Sequence, residues 1–395
     1  MADSFLKGKT ILVISPQAWG EMLISKHHYA LELARRGNQV YFLNPPDNDH
    51  WNMRSPDKRI QIRVSKANPN LYLVDQVLYF PYLLKFHARG IYNLLIKKQI
   101  RNILKKIGKP TDIVWSFDLG NLFPLAYFQK NVYKVFQPVD EPGEGQAILA
   151  AKGADIIFSV TQEILDKYKS FDVRRCFINH GLANEFTEVK ADVEFRPARV
   201  QAGMSGNLLR TDLDRGTLLQ IVHENPEVDF HFFGSYKAQE SNISGKSDAD
   251  TEAFLEKLHT YKYVNFHGVL KTKELALYLN RMDILIICYD IDKDQSRGTN
   301  YHKVMEYLST GKVIVSNNIT TYLNEPDLVH MTSERKNNFE LPALFKDTAL
   351  NLGLYNSAYL IEKRKQFARQ NTYEKQLDAI NSEIESDTVH QNISK

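Results

Sequence analysis

Residues 9–44 read KTILVISPQAWGEMLISKHHYALELARRGNQVYFLN. The run KTILVIS (9–15) is short and apolar, as a buried strand requires. SKHHYALELARRG (25–37) reads as a helix ending on Gly37. Arg35 and Arg36 fall in its last turn, where positive charge favours the helix dipole. QVYFLN (39–44) is the next strand. Strand, loop, helix and strand in this order predict the start of a doubly wound parallel sheet.

The alternation continues outward. IQIRVS (60–65), LYLVDQV (71–77), DIVWSF (112–117), YKVFQPV (133–139), DIIFSV (155–160) and CFINHG (176–181) all read as strands or their ends. Residues 183–199, ANEFTEVKADVEFRPAR, are polar and carry no clean period, so the pattern breaks there. A second alternation follows, with helices near 214–225, 250–260, 272–281 and 302–310 between apolar runs. The expected architecture is α/β: two Rossmann-like doubly wound domains, 1–185 and 200–371, joined by a linker at 186–199. Ligands of such domains bind beyond the carboxyl ends of the strands, so a central cleft is expected. A C-terminal helix is expected at about 372–390. The polar stretch 237–250 reads as a surface loop.

Composition narrows the class. Apolar residues make up 43% and charged residues 25%, the profile of a globular protein. Fifty Lys and Arg against 47 Asp and Glu leave a formal charge of +3, too balanced for a dedicated nucleic-acid binder. No apolar run reaches the roughly 20 residues of a membrane span, and the first residues lack a signal-peptide pattern. The two cysteines, Cys176 and Cys288, sit in apolar strand-like runs and read as buried free thiols, which fits a cytoplasmic location. Residues 82–109 form the longest amphipathic stretch. Ile91, Leu94, Leu95, Ile103, Leu104 and Ile107 supply its apolar positions, and Lys97, Lys98, Arg101, Lys105 and Lys106 its polar side. Two readings stay open here: a core-facing helix with a solvated basic face, or one that also touches anionic lipid as a peripheral contact on the inner membrane face.

The stretch that carries chemistry is GTNYHKVMEYLSTGKVIVSNN (298–318). A polar loop leads into a helix whose first turn holds Lys303. A positive charge there opposes the helix dipole, so an anionic partner is expected, such as a diphosphate at the amide-rich helix start. Glu306 lies three residues on, on the same face. A carboxylate only accepts hydrogen bonds and can take both hydroxyls of a ribose. The alternative is a simple helix ion pair. Upstream, GMSGNLLRTDLDRG (203–216) follows a strand; Gly206 permits close backbone approach, Asn207 sits beside it, and Arg210 and Arg215 can fork onto phosphate or pair on the surface. In the first half, Trp19, Gly20 and His27 in the loop after the first strand are candidate acceptor contacts. Asp118 and Asp140 each follow a strand and are candidate bases, or capping aspartates.

In order, these phrases resemble the GT-B glycosyltransferases, especially glycosyltransferase family 4. HKVMEYLSTGKVIVSN resembles that family's donor motif K-x-x-E-Y-L-A-x-G-K-P-V-V. The opening strand, loop and helix, FINHGLANEF, AGMSGNLLRTDLD and VNFHGVLKTKELALYLNRMDILIICYD resemble its other marks, over nearly the whole chain. The resemblance implies a transferase moving a sugar from a nucleoside-diphosphate sugar to a carbohydrate or lipid-linked acceptor, retaining, in surface polysaccharide synthesis. It implies that Glu306 holds the ribose, that Lys303 and Arg210 hold the diphosphate, that no cofactor is needed, and that the helix at about 372–390 packs back on the first domain. An Asp-x-Asp motif, the mark of the metal-dependent GT-A type, is not expected in the chain, and neither that type nor a metal is expected. Two positions depart from the family. Gly298 stands where many members carry a first glutamate, eight residues before Glu306, and Val313 replaces the proline. Asn300 and the loop backbone are then the expected donor contacts. A nucleotide-sugar epimerase and a non-catalytic binding protein are the alternatives. The sequence carries no P-loop, no Gly-x-Gly-x-x-Gly and no Gly-x-Ser-x-Gly elbow.

Overall fold

The computed structural model describes residues 4–20, 23–47, 59–143, 145–187, 189, 198–237 and 248–393. Most of the expected linker, and residues 238–247 of the expected polar loop, lie outside them. The chain divides into two units, Met1–Asn179 with Tyr373–Lys395, and His180–Thr372.

The first unit is built on eight strands: β1 (Thr10–Ile14), β2 (Gln39–Leu43), β3 (Ile60–Val64), β4 (Leu71–Gln76), β5 (Ile113–Ser116), β6 (Tyr133–Phe136), β7 (Ile156–Ser159) and β8 (Arg174–Phe177). Their order is β3-β4-β2-β1-β5-β6-β7-β8. All pairs are parallel except β3 with β4 at one edge. Leu12, Ile14, Val114, Phe136 and Ile157 line one core with Ile96, Ile100 and Ile103 of the Arg89–Ile107 helix. The run from 1 to 2 and the run from 5 to 8 spread in opposite directions, so strand order reverses between β1 and β5.

The helix Tyr373–Ile393 belongs to this unit. Arg36 bonds the Glu374 carbonyl and pairs with Asp378, Asn381 accepts from Ser4 Oγ and the Leu6 amide, and Tyr373 stacks on His28 at 4.7 Å. The boundary falls at Asn179 rather than 185. Residues 182–187 go with the second unit because Leu182 bridges to Thr372, its amide donating to the Asn371 carbonyl at 2.7 Å.

The second unit has β9 (Val200–Ser205), β10 (Val228–Phe233), β11 (Val264–Gly268), β12 (Ile284–Ile287), β13 (Val313–Ser316) and β14 (His330–Met331). They form one parallel sheet in the order β11-β10-β9-β12-β13-β14, with the reversal between β9 and β12. Its helices run Arg215–Glu224, Ala249–His259, Thr272–Arg281 and Lys303–Thr310, within a residue or two of the periodicity.

Two expectations are corrected. The 82–109 stretch is two helices, Leu84–His87 and Arg89–Ile107, broken at Ala88, where φ is −143° and ψ 61°. Its buried face is Tyr92, Ile96, Gln99, Ile100, Ile103 and Ile107, which shares Ile103 and Ile107 with the positions read from spacing, whereas Ile91 and Leu94 are 56% and 69% exposed. Cys176, on the edge strand β8, is only half-buried, whereas Cys288 is buried.

Candidate functional site

In the second unit the site forms where strand order reverses. β9 and β12 pair at Ala202 with Ile284 and Gly203 with Leu285; no pairing is made beyond these, toward their carboxyl ends. Such a reversal leaves a crevice at the carboxyl ends of a parallel sheet. Lys303, in the first turn of its helix, fills the base of it. Its side chain is 5% exposed. Its Nζ donates to the Ser205 carbonyl, at the end of β9, and to the Tyr289 hydroxyl, just beyond β12, both at 2.6 Å. It also lies 4.9 Å from the Tyr289 ring centroid. The ammonium is thus held by neutral acceptors and keeps its full charge for a further partner.

Glycine is required beside it. Gly206 has φ +142°, and a Cβ there would stand 2.9 Å from Lys303 Nζ. Gly234, at the end of β10, has φ +144°, and its Cβ would meet the Gly206 carbonyl oxygen at 2.0 Å. Two backbone turns therefore cross in contact above the ammonium, which no other residue type permits. Tyr307 fixes the helix to β9: its hydroxyl accepts from the Ser205 amide at 2.7 Å and lies 3.1 Å from Ser205 Oγ.

Glu306, one turn from Lys303, does not form an ion pair with it; its carboxylate has no hydrogen-bond or ion-pair partner among the described residues. The residue is half-buried, and removal from water pushes its carboxyl up to about 7, opposed by the Lys303 charge. A buried-side, unpartnered acceptor next to a buried cation is poised for a ligand carrying hydroxyls and negative charge.

Arg210 is not free in the way its position implies. Its Nε donates to Asp212 Oδ1 at 2.7 Å and its Nη2 to Asp212 Oδ2, a fork onto one carboxylate. The guanidinium is still 44% exposed and stands 5.7 Å from the Tyr289 ring. Arg215 is structural: it bonds Thr251 Oγ1 at 2.7 Å and the Arg210 carbonyl at 3.2 Å, with Asp248 at 3.7 Å. Asn207 turns its Oδ1 onto the Leu209 amide at 2.9 Å.

The loop before the Lys303 helix is organised by Asp294, a residue the sequence did not single out. It is 4% exposed. Its carboxylate accepts from Ser296 Oγ (2.6 Å), the Gly298 amide (2.9 Å) and the Tyr301 hydroxyl (2.7 Å). The spacing D-x-S-x-G is an Asx-turn signal and was legible. Gly298 itself has φ +67°, and a Cβ on it would stand 2.8 Å from the Asn318 carbonyl and 2.6 Å from Ile291 Cδ1. The path of the loop thus leaves no room at this position for the first glutamate of the motif that the sequence resembles. Asn300 is buried beside this turn, 5% exposed.

The sequence matches no protein-family model and none of the curated proteins. Solved structures do match. Sucrose-phosphate synthase from Thermosynechococcus elongatus aligns with TM-score 0.67 at 12% identity, over 98% of this chain and 100% of that one. An alpha,alpha-trehalose-phosphate synthase (UDP-forming) from Burkholderia vietnamiensis gives 0.64 at 11%, over 95% and 96%. HepE from Anabaena in complex with UDP and glucose gives 0.61 at 12%, over 95% and 99%. The fold is GT-B. These neighbours are glycosyltransferases; at such identity the likeness establishes the fold and leaves the site to be argued from its own residues.

In the first unit of this GT-B chain, the candidates separate. Asp118 is 8% exposed, and its two oxygens accept the Gly120 amide at 2.8 Å and the Leu122 amide at 2.7 Å. Burial pushes its carboxyl up against the pull of those amides. It is a loop cap, which corrects its assignment as a base. His27 is likewise taken up: Nδ1 accepts the Ile24 amide at 3.0 Å, so Nε2 carries the proton and donates to the Ala18 carbonyl at 3.1 Å. Burial drives it down to about 4, so it stays neutral, a staple of the 15–24 loop and no acceptor contact. Trp19 packs edge-on against His27 and Phe42, at 5.3 and 5.1 Å. Gly20 is exposed, with open space where a Cβ would be. Asp140 is exposed and has no hydrogen bond among the described residues. The residue missed here is Lys26, 1% exposed, bonded to Gln17 Oε1, with burial lowering its ammonium against the charges of Asp140 and Asp118.

Asp-x-Asp spacings do occur, contrary to the sequence expectation: Asp47 with Asp49, Asp212 with Asp214, Asp248 with Asp250, and Asp290, Asp292 and Asp294 in series. Most of these carboxylates have structural partners. Asp212 holds Arg210, Asp214 caps a helix at the Thr217 amide, Asp248 caps another at Thr251, and Asp290 pairs with Lys293. Among the described residues no group of three or more His, Cys, Asp or Glu is placed to hold a metal ion.

Proposed function

We propose that this chain transfers a sugar from a nucleoside-diphosphate sugar to a carbohydrate or lipid-linked acceptor, with retention at the anomeric carbon and as a step of surface polysaccharide synthesis. The observation that carries it is the pair Lys303 and Glu306 at the β9–β12 reversal. A buried ammonium held only by neutral oxygens and a half-buried carboxylate with no partner match the two ends of a nucleoside diphosphate. Glu306 accepts the ribose hydroxyls. Lys303 meets the diphosphate, aided by the exposed edge of Arg210 and by the backbone of Gly206 and Asn207, and Asn300 faces the sugar side of the loop. As the glycosidic bond breaks, negative charge grows on the leaving diphosphate, and a fixed cation stabilises it without reorganising. Asp140, exposed and unpaired, is the group able to orient or deprotonate the acceptor hydroxyl. Cations supplied by the chain provide the charge stabilisation in this scheme. The cytoplasm is the compartment where such donors would be met.

The path of the Gly298 loop favours one second reading, a binding protein that takes the nucleotide without transferring sugar. The test has two steps. Thermal stability is measured with UDP, GDP, ADP and CMP on the wild type and on Glu306→Ala. A ligand at a hundred times its Kd adds about 2.7 kcal/mol. Stabilisation by one nucleoside diphosphate, lost in the variant, supports the donor site; no response to any of them overturns it. The matching nucleotide sugar is then offered with lipid-linked and free glycan acceptors. Transfer with retained anomeric configuration supports the enzyme, and binding without turnover supports the second reading.

A further inference from the structure

The face turned outward by the 84–107 helices is unlike the rest of the chain. From residue 76 to 111 there is no Asp or Glu, while eight Lys and Arg occur: Lys85, Arg89, Lys97, Lys98, Arg101, Lys105, Lys106 and Lys109. The whole chain has a formal charge of only +3, so the remainder is net acidic. At one end of this basic face four large apolar side chains stand in solvent: Leu83 (64% exposed), Phe86 (67%), Ile91 (56%) and Leu94 (69%). Ile91, Leu94, Lys98, Arg101 and Lys105 follow at intervals of three and four residues, so they form one stripe along the Arg89–Ile107 helix. That stripe is about 21 Å long at 1.5 Å per residue. The opposite stripe, Tyr92, Ile96, Ile100 and Ile103, is in the core, so the helix cannot rotate to hide the outer one. Lys97, Lys98, Arg101, Lys105 and Lys106 have no carboxylate partner among the described residues.

We propose that this face docks on an anionic lipid bilayer, with Leu83, Phe86, Ile91 and Leu94 entering the boundary between headgroups and acyl chains and the following cations lying on the headgroups. The charge pattern selects the partner: an unpaired basic stripe seeks an anionic surface, and an apolar tip beside it is suited to a bilayer, where both parts are satisfied at once. No described helix is long and apolar enough to cross a membrane, so the contact is peripheral. The tip also sits at a meaningful place in its unit. Lys85 Nζ bonds the Gly120 carbonyl, and Tyr92 donates its hydroxyl to the Leu122 carbonyl at 3.2 Å, so the docking face is tied to the loop beyond the carboxyl end of β5. A bilayer bound there would lie beside the loop that Asp118 shapes.

The proposal stands apart from the donor site and is tested separately. The full chain is sedimented with vesicles of phosphatidylcholine alone and of phosphatidylcholine with about one-third phosphatidylglycerol. Binding is expected to the anionic vesicles only and to weaken with salt. Each cation near the surface contributes about fivefold, so Lys98→Glu/Arg101→Glu/Lys105→Glu should reduce binding by on the order of 100-fold or more. Phe86→Ser/Leu94→Ser, at exposed positions that leave the core intact, should reduce it by roughly tenfold or more. Both variants should keep the wild-type melting temperature and nucleotide response. No sedimentation with anionic vesicles at low salt overturns the proposal. So does binding lost on charge reversal but unchanged by the apolar pair, which would mark a purely electrostatic polyanion site. If the triple variant fails to fold, the apolar pair decides alone.

Discussion

Glu306→Gln removes one charge and almost no volume, and the structure fixes what should follow. The carboxyl stands at about 7 against an ordinary 4.5, chiefly because burial strips water from the charged form. Between those values the folded chain holds a proton that the unfolded chain has released, so stability falls as pH rises through this window. A rise of that size corresponds to about 3 kcal/mol. The residue is only half-buried, so screening by water brings the expected figure to roughly 2 kcal/mol. Glutamine carries no such penalty. The variant should therefore match the wild type near pH 4, below the unfolded value, and melt higher at pH 8, by about 4–8 °C for a unit of this size. The described tryptophans, Trp19 and Trp115, lie in the first unit, so calorimetry is the assay. The same variant should bind nucleoside diphosphate more weakly above pH 7, because an amide cannot accept from two hydroxyls as a carboxylate does. A melting difference that is constant from pH 5 to 8, or that favours the wild type at pH 8, would refute the placement of an unpartnered, desolvated carboxylate at this position.

Gly206→Ala puts a methyl 2.9 Å from Lys303 Nζ at a φ of +142°; displacement of the ammonium should cost tenfold or more in nucleotide affinity and about 1–3 kcal/mol in stability, read by titration and by melting. Gly298→Glu should not supply a working first glutamate of the motif that the sequence resembles: with its Cβ 2.8 Å from the Asn318 carbonyl, the variant should lose about 2–4 kcal/mol and gain no transferase activity. Asp118→Asn and Asp140→Asn should divide cleanly. The first disturbs two backbone hydrogen bonds and should lower stability by about 1–2 kcal/mol, whereas the second should leave melting unchanged and reduce transfer, as a rate assay at saturating donor would record.

The alternation of apolar runs and helical periods made both sheets legible, since strands buried on two faces must be continuously apolar and their covering helices must be amphipathic. Lys303 was legible too, because a cation in a helix's first turn is locally unfavourable and asks for an anion. Glu306 was marked by its spacing, but that it stands alone instead of pairing with Lys303 depends on where the Ser205 carbonyl and Tyr289 hydroxyl lie, far away in the chain. Asp294 was written in a local turn signal and was passed over. His27, Asp118 and Arg210 share one feature that local sequence does not show: a polar side chain near a strand end looks available until the backbone groups and carboxylates that bond it are placed around it. The outward turn of Ile91 and Leu94 has a similar origin. Helical spacing fixes which residues share a stripe, but the break at Ala88 and the packing of Tyr92, Ile96 and Ile100 decide which stripe faces the core. Local sequence therefore determined the elements, the two repeats and the positions of charge in the helices. Only the tertiary structure decided which polar groups were left without partners, because hydrogen-bond satisfaction is settled between residues distant in sequence.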